Sequence, residues 1–97
     1  MGKVVKECKY CVVKRASHRE EFDERKLYAS CYSAFIASHM DKRKAEQQCD
    51  KMVAVIKRHI RRKKTIDSDA LFGMVVDEMR KLDPHAAFMY ETHRDIS

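Results

Sequence analysis

From Leu27 to Leu82 the apolar residues return every three or four positions, and a chain patterned in this way has to bury several helical stripes against one another. Asp23 stands where a helix needs an N-cap, and behind it Leu27, Cys31, Ala34, Phe35 and Ser38 share one stripe, flanked by Tyr28, Tyr32 and Ile36. A first helix is predicted over 23–39. Asp41 is placed to cap a second helix over 42–61, whose inward residues are Ala45, Cys49, Met52, Val53, Ile56 and Ile60. The run Arg61-Arg62-Lys63-Lys64 closes it, setting cations where the last carbonyls carry partial negative charge. Asp67 or Ser68 caps a third helix over 68–82 that turns Leu71, Met74, Val75, Met79 and Leu82 inward, with Ile66 and Leu71 as a hydrophobic staple. Asp83-Pro84 opens a fourth helix carrying Ala86, Ala87, Tyr90 and His93.

The N-terminal part reads differently. Cys11-Val12-Val13-Lys14-Arg15 has strand character and Arg19-Glu20-Glu21-Phe22 is its return strand, joined through Ala16-Ser17-His18. That connection lacks Asn-Gly or Asp-Gly, so a longer or bulged turn is expected. Residues 3–10 are extended through Val4-Val5, as an N-terminal extension or extra strand ahead of one domain over 11–97. Ile66 is a candidate short strand. The expected fold class is α+β, a hairpin and four helices packed around one core.

Charge is divided unevenly along the 97 residues. Residues 1–64 hold 18 Lys and Arg against 8 Asp and Glu, and residues 65–97 hold 3 against 7. The first part therefore suits an anionic ligand. Apolar runs stay far short of the ~20 residues of a membrane span, and no signal-peptide core opens the chain, so a cytoplasmic protein with no membrane partner is expected. With glycine only at Gly2 and Gly73, neither a Walker loop nor a GxGxxG turn can be written.

Four constellations carry candidate chemistry. Cys8-x-x-Cys11 is half of a tetrahedral zinc site without its second half, while Cys31 and Cys49 lie on helical stripes as small hydrophobes; four reduced thiols and no metal are the expectation. The cluster 57–64, Lys57-Arg58-His59-Ile60-Arg61-Arg62-Lys63-Lys64, can neutralise phosphates, which keeps a small basic nucleic-acid-binding protein as the alternative reading. Five histidines, at 18, 39, 59, 85 and 93, show no spacing that couples one to a nucleophile, so no catalytic residue is assigned and no enzyme is expected. Finally, the hairpin-to-helix junction brings Lys14, Arg15 and Lys26 toward a helix start, a combination that favours phosphate, with Glu20, Glu21 or Asp23 available to ribose hydroxyls or a magnesium ion.

Val12-Val13-Lys14-Arg15, Glu21-Phe22-Asp23, Lys26-Leu27, then Ile66-x-Ser68-x-x-Leu71-x-x-x-Val75, and Leu82-Asp83 with a final Tyr90-to-Arg94 helix, together resemble the ATP-cone family. That nucleotide-sensing module opens many ribonucleotide reductase large subunits and occurs in the transcriptional repressor of reductase genes. The resemblance spans about residues 11–95. It implies a four-helix bundle covered by a small three-stranded sheet, with Thr65-Ile66 as third strand, and binding of ATP or dATP, with or without Mg2+. Carried over by position, Val13, Lys14 and Arg15 line the site, the two cations facing phosphates. Glu21, Phe22 and Asp23 form a wall, Lys26 and Leu27 approach phosphate and base, Ser68 and Phe72 close the pocket, and Tyr90 and Arg94 contribute from the last helix. Ala16-Ser17 replaces the Asp-Gly usual in the family's hairpin turn. One Cys pair in ten residues, where the repressor has two pairs, sets this chain apart from that repressor. The expected object is a stand-alone, non-catalytic nucleotide sensor acting through a partner, such as ribonucleotide reductase or another regulated protein, or through homo-oligomerisation.

Overall fold

The computed structural model describes residues 11–13, 19–63 and 65–93. Their elements are the strands β1 (Cys11–Val13), β2 (Arg19–Glu21) and β3 (Thr65–Asp67), and the helices α1 (Glu24–Ala37), α2 (Lys42–Lys63), α3 (Ser68–Leu82) and α4 (Pro84–His93). The α+β class, four helices with a small sheet, is what the structure shows. The strands are short and pair in the order β2-β1-β3. β1 meets β2 antiparallel, Val12 opposite Glu20, and meets β3 parallel, Val12 opposite Ile66. Residues 3–10 and the hairpin turn at 16–18 lie outside the described residues.

Every helix begins at an aspartate that caps it in the same way. Asp23 Oδ1 accepts from the amides of Arg25 and Lys26 at 3.0 and 3.4 Å, and Asp41 Oδ2 from those of Arg43 and Lys44 at 3.1 and 3.4 Å. Asp67 Oδ2 accepts from Asp69 and Ala70 at 3.0 and 3.3 Å, and Asp83 Oδ1 from His85 and Ala86, both at 3.1 Å. Each cap satisfies two amides that the helix itself leaves orphaned. The α1 cap places the expected 23–39 element at 24–37. α1 ends in a Schellman motif: Met40 donates its amide to Phe35 and His39 to Ile36, at 3.0 and 2.9 Å, with His39 left-handed at φ 69°. α2 runs two residues past its expected end, carrying Arg61, Arg62 and Lys63 in its last turn.

The core is built from the predicted stripes. Phe35, Met52, Ile56, Ile60, Val75 and Met79 are essentially inaccessible, and Leu27, Ala34, Ala45, Ala86 and Ala87 join them. Burial of each large side chain is worth about 1.5–3 kcal/mol. Val12 and Ile66, neighbours in the sheet, both belong to this core cluster, so the sheet rests its Val12–Ile66 row on the bundle. Two positions depart from expectation. Leu82, predicted inward, is 39% exposed, because α3 ends there and Asp83 redirects the chain into α4; Val76, not predicted, is buried at 4%.

Cys31 and Cys49 are buried free thiols on α1 and α2. Burial pushes Cys31 up to about 12, with Cys49 adding to it, and burial first, then Asp50 and Glu46, takes Cys49 to about 11. Both are therefore neutral, unreactive core groups at physiological pH. Cys11 is disulfide-bonded, its partner lying outside the described residues, which corrects the expectation of four reduced thiols. That expectation rested on compartment, whereas pairing depends on whether two sulfurs are brought within bonding reach.

Candidate functional site

Helices α1 and α3 both start where the chain leaves the sheet, α1 two residues after β2 and α3 directly after β3. Most of the expected site residues belong to this end of the molecule. The register divides them between two edges of the sheet. Val13 lies alongside Asp67, so the end of β1 meets the start of α3 at Ser68; Glu21 lies alongside Cys11, which itself pairs with Thr65. Three-residue strands separate these edges by about 7 Å along the strand.

On the Glu21 edge, Glu21 is exposed and Phe22 half-buried, packed against the core. Asp23 Oδ1 is occupied by its capping bonds. Lys26, in the first turn of α1, is exposed and forms no ion pair among the described residues. Leu27 is 7% exposed and belongs to the core cluster, so its role at this edge is to anchor the helix that carries Lys26. Glu24 Oε1 binds Lys57 Nζ at 3.0 Å, tying the first turn of α1 to α2.

On the Val13 edge, Ser68 is half-buried at the first position of α3. One turn on, Phe72 stacks on Tyr90 of α4, with ring centroids 5.4 Å apart and planes 20° from parallel. Both rings are half-buried and lean on the core. The amides of Asp69 and Ala70 are taken by Asp67. The starts of α1 and α3 therefore each have two amides already satisfied by a carboxylate, and an anion at this end has to be held chiefly by cationic side chains.

Of the remaining predicted residues, Lys14, Arg15 and Arg94 lie outside the described residues, as does the side chain of Val13. The helix contact that sequence reasoning did not find is the Glu24–Lys57 bridge, since 33 residues separate its partners and only the antiparallel packing of α1 on α2 brings them together. Nor did it find an open groove of about 470 Å3 between α2 and α3, lined by His59, Met74, Asp77, Glu78, Arg80 and Lys81. Its cations are engaged: Arg80 pairs with Asp77 and with Glu91, and Lys81 with Glu78. Among the described residues no three His, Cys, Asp or Glu side chains gather to hold a metal ion, and no helix is long and apolar enough to cross a membrane.

Comparison with protein families matches residues 10–95 to the ATP cone domain. Comparison with curated proteins gave no match.

Proposed function

Because the chain belongs to the ATP-cone family, we propose that it is a non-catalytic regulatory module that binds ATP or dATP at the sheet end of the bundle and acts through a partner protein or through self-association. The observation that carries this reading is the Phe72–Tyr90 stack beside the start of α3, a half-exposed aromatic surface of the kind a purine base covers favourably. The rest of the site fits a triphosphate in charge. Lys26 has no carboxylate partner among the described residues, and Lys14 and Arg15 stand next in the chain after Val13, which the sheet sets beside α3. In this reading Lys14, Arg15 and Lys26 hold the phosphates in place of the capped helix amides. Val13, Phe22, Leu27 and Ser68 shape the walls. Glu21 and the free oxygen of Asp23 are the acids available to ribose hydroxyls or to a magnesium ion on the phosphates.

A bound nucleotide can move an assembly equilibrium only by the difference between its affinities for the two assembly states. Regulation accordingly requires the sheet end, or what contacts it, to differ between free and associated protein. Ribonucleotide reductase is one partner class consistent with the family; another regulated protein or a second copy of this chain are the others.

Titration calorimetry with ATP and with dATP tests the reading, with Lys14→Ala as control. Saturable heat that Lys14→Ala weakens is expected, together with a change in elution volume on sizing when nucleotide is added. Heats equal to buffer dilution for both nucleotides would defeat it.

A further inference from the structure

The outer face of α2 is the most strongly charged surface among the described residues. Lys44, Lys51, Arg58 and Arg62 recur at intervals of seven, seven and four, which at 100° per residue keeps them on one line along the helix, about 135° round from the buried row of Ala45 to Ile60, with half-buried Gln48 and Val55 between them. Arg43 and Arg61 flank that line. All six are exposed, and none pairs with a carboxylate among the described residues. The two acids of α2, Glu46 and Asp50, lie to one side of the line, toward α1, where they act on Tyr28. The charged line is about 27 Å long, with successive cations about 10 Å apart over most of it.

Like charges stacked at helical spacing repel one another, so such a row is costly unless a counter-charge meets it. α3 shows the ordinary solution, since its cations Arg80 and Lys81 are each matched to an acid three residues back. Only Arg58 and Arg62 stand one turn apart, and the others are about 10 Å apart, so an anionic partner of comparable length is what would gain most from this face. Among the described residues the face carries no aromatic side chain, and its one sizeable apolar residue, Val55, is half-buried between Lys51 and Arg58, whereas protein partners are anchored by exposed groups of that kind. Unpaired bases are likewise gripped by stacking aromatics, which are absent from it. A rigid, regular run of charge with nothing to stack on matches the sugar–phosphate backbone of a duplex.

We propose that the outer face of α2 docks on the phosphate backbone of duplex nucleic acid, without regard to base sequence. The row runs from Lys44 near the α1–α2 turn to Arg62, three residues before β3, and the proposal does not rest on the nucleotide site being filled.

Fluorescence anisotropy of a labelled mixed-sequence DNA duplex, titrated with the full chain in the absence of nucleotide over about 50 to 200 mM salt, tests it. The expected result is binding whose logarithm falls linearly with the logarithm of salt, with a slope of about −5 for five or six phosphate contacts. Lys51→Gln with Arg58→Gln and Arg62→Gln should weaken binding about tenfold or more and make the slope shallower by about three. Arg25→Gln with Arg80→Gln and Lys81→Gln removes the same net charge elsewhere and should change affinity by less than about twofold; circular dichroism reports that both variants keep their helices. Equal losses in the two variants would reduce the effect to overall charge and overturn the proposal. So would a salt-independent signal, or a poly-glutamate chain bound as tightly as the duplex, which would assign the face to an acidic protein.

Discussion

The two ends of the bundle use their polar groups in opposite ways. At the turn end, Asp83 Oδ1 caps α4 while its Oδ2 accepts from Ser38 Oγ at 2.8 Å, and His85 Nδ1 lies 3.3 Å from the same hydroxyl. The α1–α2 turn is thereby laced to the α3–α4 turn, and the Schellman motif closes α1 beside it. At the sheet end the helix starts are capped as firmly, yet Lys26 has no ion-pair partner among the described residues, and the stacked Phe72 and Tyr90 rings keep accessible surface. Groups that satisfy one another make a fixed joint. A cation with interaction energy still to offer a ligand, and an aromatic surface open to one, sit where the sheet meets α1 and α3.

The contrast can be broken or sharpened by measurement. Phe35 packs in the core and its carbonyl accepts the Met40 amide of the Schellman motif, so Phe35→Ala should cost about 3–5 kcal/mol in denaturant unfolding. Both ends should melt in one transition; two separate transitions would show that they are independent units. Asp83→Ala removes two capping bonds and the tie to Ser38 and should cost about 2 kcal/mol, with faster hydrogen exchange confined to the turn end. If exchange rises equally at Ser68 and beyond, the turn end is no separate joint.

Alkali probes the packing between the ends. The folded state raises the Cys31 and Cys49 thiols from 9.0 to about 12 and about 11. The native chain therefore holds these protons where the unfolded chain gives them up, so their stabilising effect is complete below pH 9 and lost as pH rises toward 11–12. Unfolding free energy should fall by on the order of 1–2 kcal/mol between pH 9 and pH 10, and replacing both cysteines by alanine should flatten that slope. Phe72→Ala should weaken nucleotide binding about tenfold, roughly 1.4 kcal/mol, with little change in the melting of the turn end. An unchanged affinity would remove the aromatic pair from the site. Smallest is His39→Gly, which should stabilise by about 1 kcal/mol because a side chain no longer occupies the left-handed position at φ 69°; no gain would mean that the imidazole makes up for its strain.

Much of this was legible in the residues alone. Three of the aspartate caps could be named in advance, and the third helix's narrowed to Asp67 or Ser68, because a capping bond is made within three residues of the cap. The stripes on α1 and α2 could be named because burial follows helical period. Leu82 escaped that logic: it obeys the period, but its helix stops there and it stays 39% exposed. Glu21, Phe22, Asp23 and Lys26 were readable as one group for the same local reason as the caps. The stack of Phe72 on Tyr90 was not, since it depends on the angle at which α4 folds back along α3.

Local order along the chain, then, set which segments are helices, where each begins, which faces are apolar and that the positive charge is concentrated before Thr65. Tertiary structure alone decided which charges meet a partner beyond their own helix. Lys57 finds Glu24 through the packing of α1 on α2, while Lys44, Lys51, Arg58 and Arg62 are turned to solvent with no partner among the described residues. A charge on a sequence has no neighbours beyond its own helix; pairing is a matter of distance in space, and that distance is fixed only when the apolar faces have been buried together.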